Sequence, residues 1–172
     1  PWVEDPRGHA VGVRTPGGHV LRVSPDGSVV ELFAGGFRNA YDIAFGPDGE
    51  LFTFDSDMEW DIGLPWYRPT RVYHVVAGAD FGWRSGAGCN SVNYRFTPPP
   101  VIDTGLGSPT GVLSGTKLAF HPEARDALYV ADWAYGRILA VQLTPAGGSY
   151  TARVKSFVTG KPLNVTDLAA GP

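Results

Sequence analysis

The feature that most constrains this chain is the repetition of its β-type segments. Leu51–Asp55 (LFTFD) returns as Leu128–Asp132 (LYVAD), and Val20–Val23 returns as Val72–Val75 and as Ile138–Val141. The run N-A-Y-D-I-A-F-G-P from Asn39 to Pro47 recurs as N-V-T-D-L-A-A-G-P from Asn164 to Pro172. A unit of four short antiparallel strands repeating every roughly 40 to 60 residues is the signature of propeller blades. The expected fold is therefore all-β, a β-propeller fragment of roughly two and a half four-stranded antiparallel blades. The expected divisions are part of a blade over 18–35, a blade over 36–107, a blade over 108–160 and the start of another over 161–172. A propeller closes to remove its sheet edges, so this much of one needs either a longer polypeptide or further copies of the chain to complete a ring.

The turn chemistry agrees. Ser24-Pro25-Asp26-Gly27 and Gly46-Pro47-Asp48-Gly49 separate apolar runs, proline presetting φ and glycine taking positive φ. Further strands are expected at Ala40–Phe45, Arg71–Val76, Val101-Ile102, Lys117–Phe120, Ala127–Ala131, Arg137–Leu143, Ala152–Val158 and Val165–Ala170. The 23 glycines and 15 prolines favour short strands, and no helix-length window carries an apolar repeat at three and four residues.

Charge and cysteine content narrow the function. A net charge of −3 with no Lys/Arg cluster gives no electrostatic footprint for nucleic acid. No apolar run approaches membrane-spanning length. The one cysteine, Cys89, allows neither an internal disulfide nor a thiolate metal cluster.

Two groups of residues could carry chemistry. The loop after Phe54 places Asp55, Asp57, Glu59 and Asp61 at alternate positions, where a turning chain can aim several oxygens at a hard cation such as calcium. Its bland alternative is an acidic loop whose carboxylates cap backbone amides or are neutralised by Arg68 and Arg71. Arg38 and Asn39 precede a first strand, at the end of a blade that faces a propeller's channel. Asn39 recurs as Asn164, which favours a turn role. Arg38 does not recur (Leu163), and its planar fork suits a carboxylate or phosphate. Trp60, Trp66, Tyr67 and Trp133 follow second strands, where aromatics either wall a sugar or quinone pocket or pack blade on blade. His74, alternating along a strand, reads as a packed histidine rather than a base, and no Ser/His/Asp set forms a nucleophile motif.

Gly36-Phe37-Arg38-Asn39, Ile43-Ala44-Phe45, Asp48-Gly49-Glu50-Leu51 and Phe81-Gly82-Trp83 together resemble the glucose/sorbosone dehydrogenase superfamily, six-bladed propellers related to soluble quinoprotein glucose dehydrogenase. Asp57–Asp61 (DMEWD), Pro65–Arg71 (PWYRPTR), Phe81–Gly86 and Gly107–Gly111 are similar to the propeller region of secreted planctomycete-type proteins that carry a haem-binding domain. The resemblance covers nearly the whole chain beyond residue 8.

It implies a periplasmic or extracellular protein that oxidises a sugar or other polyol, with pyrroloquinoline quinone (PQQ) and calcium as possible cofactors and a c-type cytochrome domain as possible electron acceptor. It implies a cofactor contact at Arg38 and Asn39, calcium at the Asp55–Asp61 loop, and a substrate pocket near Trp66, Arg68 and Trp133. The histidine that removes the hydroxyl proton in that family belongs to an earlier blade, upstream of this sequence, so the catalytic residue is unknown here. The alternatives are a non-catalytic propeller that binds carbohydrate or protein as a scaffold, and a calcium-dependent lactonase-type propeller.

Overall fold

The computed structural model describes residues 2–4, 10–14, 17–57, 68–84 and 97–171. Their strands fall into four antiparallel sheets. β1 (Trp2–Glu4) pairs with β2 (Ala10–Arg14), and β3 (Gly18–Val23) with β4 (Val30–Phe37). Next comes a four-stranded meander of β5 (Ile43–Phe45), β6 (Leu51–Asp55), β7 (Thr70–Val75) and β8 (Ile102–Gly105). A second meander follows, of β9 (Pro109–Ser114), β10 (Ala127–Asp132), β11 (Arg137–Ala146) and β12 (Ser149–Thr159). Two adjacent four-stranded antiparallel meanders, preceded by two two-stranded sheets, are the architecture of part of a β-propeller.

Burial explains why these segments pair as they do. β6 and β10 are buried at every residue, as strands covered on both faces must be, and each is a near-continuous run of apolar residues ending in aspartate. Phe52, Phe54, Val72, Val112, Leu128, Val130, Leu139 and Val141 form one core uniting the two meanders. Ala34, Phe37, Leu51, Tyr73, Val75 and Phe81 form a second, which fixes the β3–β4 hairpin to the first meander. Within it Phe37 stacks on Phe81 with ring centroids 4.5 Å apart. At about 25 cal/mol per Å² of apolar surface removed from water, such side chains supply the main favourable term.

The Gly-Pro-Asp-Gly turn closes as its residues dictate. Gly49 donates to the Gly46 carbonyl at 3.1 Å and takes φ +85°. The repeated aspartate also has a common local role: Asp42 accepts from the Ile43 amide at 2.8 Å, and Asp167 from the Leu168 amide at 2.7 Å. The second oxygen of Asp42 accepts the Val112 amide at 2.8 Å and so joins the two meanders.

Two expected strands lie elsewhere. Lys117–Phe120 does not form a strand; the strand is β9, followed by a single 3-10 turn over Gly115–Lys117. Gly115 is pressed against the short helix α1 (Pro122–Arg125): a Cβ there would stand 2.9 Å from the Ala127 carbonyl and 3.0 Å from that of Arg125. Val165–Ala170 joins no ladder and instead packs on β9. The Thr110 hydroxyl donates to the Val165 carbonyl at 2.8 Å, and a Cβ on Gly111 would lie 2.9 Å from Asp167 Cα. Glycine in β9 is thus a close-approach residue, and 109–114 was not among the expected strands.

Candidate functional site

The Arg38 end of the first meander is built around Asp55. β6 delivers this carboxylate, 2% exposed, beneath the turn that leads into β5. Its two oxygens accept the backbone N–H groups of Arg38 at 2.8 Å and Asn39 at 3.0 Å. Ser56 completes the node: its hydroxyl donates to Asn39 Oδ1 and accepts from Arg38 Nη1 at 3.0 Å. The guanidinium is half-buried and aimed by Ser56, while Asn39 is exposed. Arg38, Asn39, Asp55 and Ser56 therefore act as one unit, and Ser56 is the member that sequence reasoning did not single out.

Asp57, two residues on, belongs to a different group. Its Oδ2 lies 2.7 Å from Arg71 Nη1 and 3.5 Å from Arg68 Nη1. Arg71 reaches Asp103 as well, with Nε 2.9 Å from the carboxylate. Burial opposes the Arg71 charge, but the Tyr73 hydroxyl, Asp57 and Asp103 more than offset it, so its affinity for the proton stands above the ordinary arginine value. Burial pushes the Tyr73 phenol up to about 12.

Burial likewise pushes the Asp55 carboxyl up to about 6, with the Asp57 charge adding to the rise and the backbone amides opposing it. The folded carboxyl holds its proton more tightly than the unfolded one, so this residue's contribution to stability is greatest below pH 4. It is lost as pH rises towards about 6, by on the order of 3 kcal/mol. Asp55→Asn removes that slope. The stability of wild type minus that of Asp55→Asn, measured by equilibrium unfolding, should fall between pH 4 and 6 and level off above. A flat difference over that range would show that the carboxyl titrates normally.

The second meander repeats the node with different occupants. Asp132, fully buried at the end of β10, accepts the Ser108 amide at 2.9 Å and the Ala134 amide at 3.2 Å. Arg137 Nε donates to it at 2.7 Å. Asp55 and Asp132 are thus the same device, a carboxylate from the second strand that clamps the turn into the first. The shared sequence LFTFD/LYVAD was the signal available for it. Trp133, next to this clamp, is 46% exposed, and Arg137 lies over the Tyr135 ring 5.1 Å from its centroid.

Of the sequence-predicted site residues, Arg38, Asn39 and Asp55 are therefore brought together, and Arg68 meets Asp57 beside them. Trp133 follows the equivalent clamp in the neighbouring sheet. Glu59, Asp61 and Trp66 lie outside the described residues. Among the described residues no three His, Cys, Asp or Glu side chains gather as a metal site, and no helix is long and apolar enough to cross a membrane.

No protein-family model matches the chain, and no curated relative matches it. Solved structures do. The chain is similar to an oxidoreductase described as a glucose dehydrogenase from Thermus thermophilus, with 23% identity and a TM-score of 0.65 over 83% of this chain and 39% of that one. It is similar to the PQQ-bound aldose sugar dehydrogenase from Streptomyces coelicolor, with 19% identity and a TM-score of 0.64 over 88% of this chain and 42% of that one. A further glucose dehydrogenase matches at 15% identity and a TM-score of 0.64, over 87% of this chain and 44% of its own. The chain thus spans less than half the length of each of these structures. At such identities the likeness is one of fold: this chain is folded as part of the β-propeller found in sugar dehydrogenases.

Proposed function

We propose that this chain is part of a sugar or aldose dehydrogenase-like oxidoreductase propeller that uses a quinone cofactor. The observation that carries the reading is the Arg38 node, a half-buried guanidinium aimed by Ser56 on a turn clamped by Asp55, in a fold shared with a PQQ-bound sugar dehydrogenase.

The donors present fit an anionic quinone. Arg38 presents a planar fork that can bond two carboxylate oxygens at once, and the exposed Asn39 beside it can donate and accept. When bound, the quinone would supply a two-electron acceptor for hydride from a sugar carbon. The chain's own part is to bind and orient. Asp55 holds the two backbone amides, Ser56 fixes the guanidinium, and Trp133 offers an exposed aromatic face for a sugar in the adjoining sheet. The base for the hydroxyl proton would come from a histidine outside this sequence, and a c-type cytochrome domain would receive the electrons. Such a protein would work in the periplasm or outside the cell.

Calcium is another matter. Both Asp55 oxygens accept backbone N–H groups, and Asp57 Oδ2 faces two guanidinium groups. A divalent cation would have to displace or repel those arginines, so Asp55 and Asp57 do not fit a calcium site as they stand.

The test is aldose-dependent dye reduction by the full-length protein supplied with PQQ. Arg38→Ala should lower activity at limiting quinone by about tenfold to a hundredfold, with partial rescue by Arg38→Lys, as for loss of a charge-assisted contact. Full activity in Arg38→Ala would remove Arg38 from the cofactor site. Absence of any aldose oxidation would favour the scaffold reading, in which the propeller binds carbohydrate or protein without turning it over.

A further inference from the structure

Three side chains that the dehydrogenase reading does not use meet at the other end of the same strands. β6 runs from Leu51 to the Asp55 clamp, and Glu50, just before its first residue, faces His74 of β7. His74 is 6% exposed. Its Nε2 lies 3.0 Å from Glu50 Oε2, and its Nδ1 lies 3.2 Å from Ser149 Oγ, at the start of β12 in the next sheet.

The imidazole is held on two sides. Phe52 stacks on it with centroids 5.4 Å apart, and Tyr150 meets it edge-on at 5.1 Å. Tyr150 is itself tied down by donating its hydroxyl to Asp48. Ser149 is half-buried and follows Gly147 and Gly148, where an added Cβ would meet no atom within 4 Å.

The geometry points to a second site, a Ser149–His74–Glu50 acyl-transfer constellation whose substrates are small carboxylic esters. The carboxylate accepts Nε2–H and so fixes the tautomer that leaves a lone pair on Nδ1, the nitrogen that faces the serine hydroxyl. A nucleophile, a base within hydrogen-bond reach and a third group orienting the base are the parts such chemistry needs. The ring is turned over relative to the commoner arrangement, in which the serine faces Nε2. The two nitrogens can exchange these roles.

In the first half-reaction Ser149 Oγ attacks the ester carbonyl carbon as its proton passes to His74 Nδ1. The carbonyl re-forms, the alkoxide leaves with the proton from Nδ1 as an alcohol, and Ser149 is left acylated. Water then attacks the acyl carbon, giving a proton to Nδ1. The serine oxygen leaves, recovers that proton, and the carboxylic acid is released. Each bond made is matched by one broken, and no oxidant or reductant is required.

A fluorophosphonate probe and p-nitrophenyl acetate test this on the full-length protein, with the modified residue located by peptide mass. One phosphonyl group should be added at Ser149, and none in Ser149→Ala. His74→Gln should slow the labelling by about a hundredfold and Glu50→Gln by about tenfold, in line with loss of a general base and of its orienting group. Ester hydrolysis should fall in parallel. Thermal melts of each variant separate lost chemistry from lost folding. Glu50 is half exposed, so Glu50→Gln serves even if His74→Gln unfolds. An unlabelled Ser149, or labelling at the same rate in Glu50→Gln, would overturn the proposal and leave the trio as a contact that joins two sheets. Neither outcome depends on quinone, so it stands or falls apart from the dehydrogenase reading.

Discussion

Asp132→Ala is expected to be the most destabilising single substitution in the second meander, at about 3 to 5 kcal/mol. The carboxylate is fully buried and serves the Ser108 and Ala134 amides together with the Arg137 guanidinium. Removing it strands at least two backbone donors and a cation left with the Leu106 carbonyl at 2.9 Å, that of Thr104 at 3.4 Å and the Tyr135 ring. Gly107 reports on the same clamp, because a Cβ there would sit 2.6 Å from Asp132 Oδ2. Asp132→Asn should cost less, since it keeps one acceptor oxygen, and pairing it with Arg137→Gln should recover part of the loss. Equilibrium unfolding of the three variants checks this. A loss below about 1 kcal/mol for Asp132→Ala would mean that water replaces the carboxylate, and that the clamp is not a structural device.

Gly36→Ala is the second large effect, and it acts on the Arg38 end. Gly36 takes φ +75°, a left-handed conformation costing a side-chain-bearing residue about 1 to 2 kcal/mol. The larger penalty is contact. A Cβ would stand 2.7 Å from the Gly82 amide nitrogen and 2.9 Å from that of Phe81. This backbone is paired: the Phe81 amide donates to the Gly35 carbonyl at 2.9 Å and the Trp83 amide to the Gly36 carbonyl at 2.8 Å. Gly36→Ala must push the 80–83 segment away or twist the chain just before Phe37 and Arg38. A loss of roughly 3 kcal/mol or more is expected, with weakened quinone binding even where the fold survives. A melting temperature within a degree or two of wild type would show that the segment yields freely.

What the sequence disclosed and what it hid follow from the range of the interactions. Strand pairing within a meander is local, and the turn at Gly46–Gly49 and the recurrence of Val20–Val23 as Val72–Val75 and Ile138–Val141 announced it. β9 was missed because its Gly111 answers to the segment around Asp167, more than fifty residues away. The clamps were visible as a repeated terminal aspartate, yet in Asp55 the carboxylate drew attention as a cation ligand. Its engagement by the Arg38 and Asn39 amides depends on a turn sixteen residues earlier that only the fold brings back. Arg68 and Arg71 could be suspected of neutralising the acidic loop from proximity alone, and at Asp57 they do so. The union of His74 with Ser149, 75 residues apart, has no counterpart in local spacing.

Arg38, held by the Asp55–Ser56 node, is proposed to contact a quinone. The most direct test of this contact is an absorbance titration of the full-length protein with PQQ, run in parallel for wild type and Arg38→Ala. Saturable binding in the micromolar range or tighter is expected, weakened about tenfold or more by the substitution. The absence of saturable binding, or equal affinity in the two proteins, would contradict it.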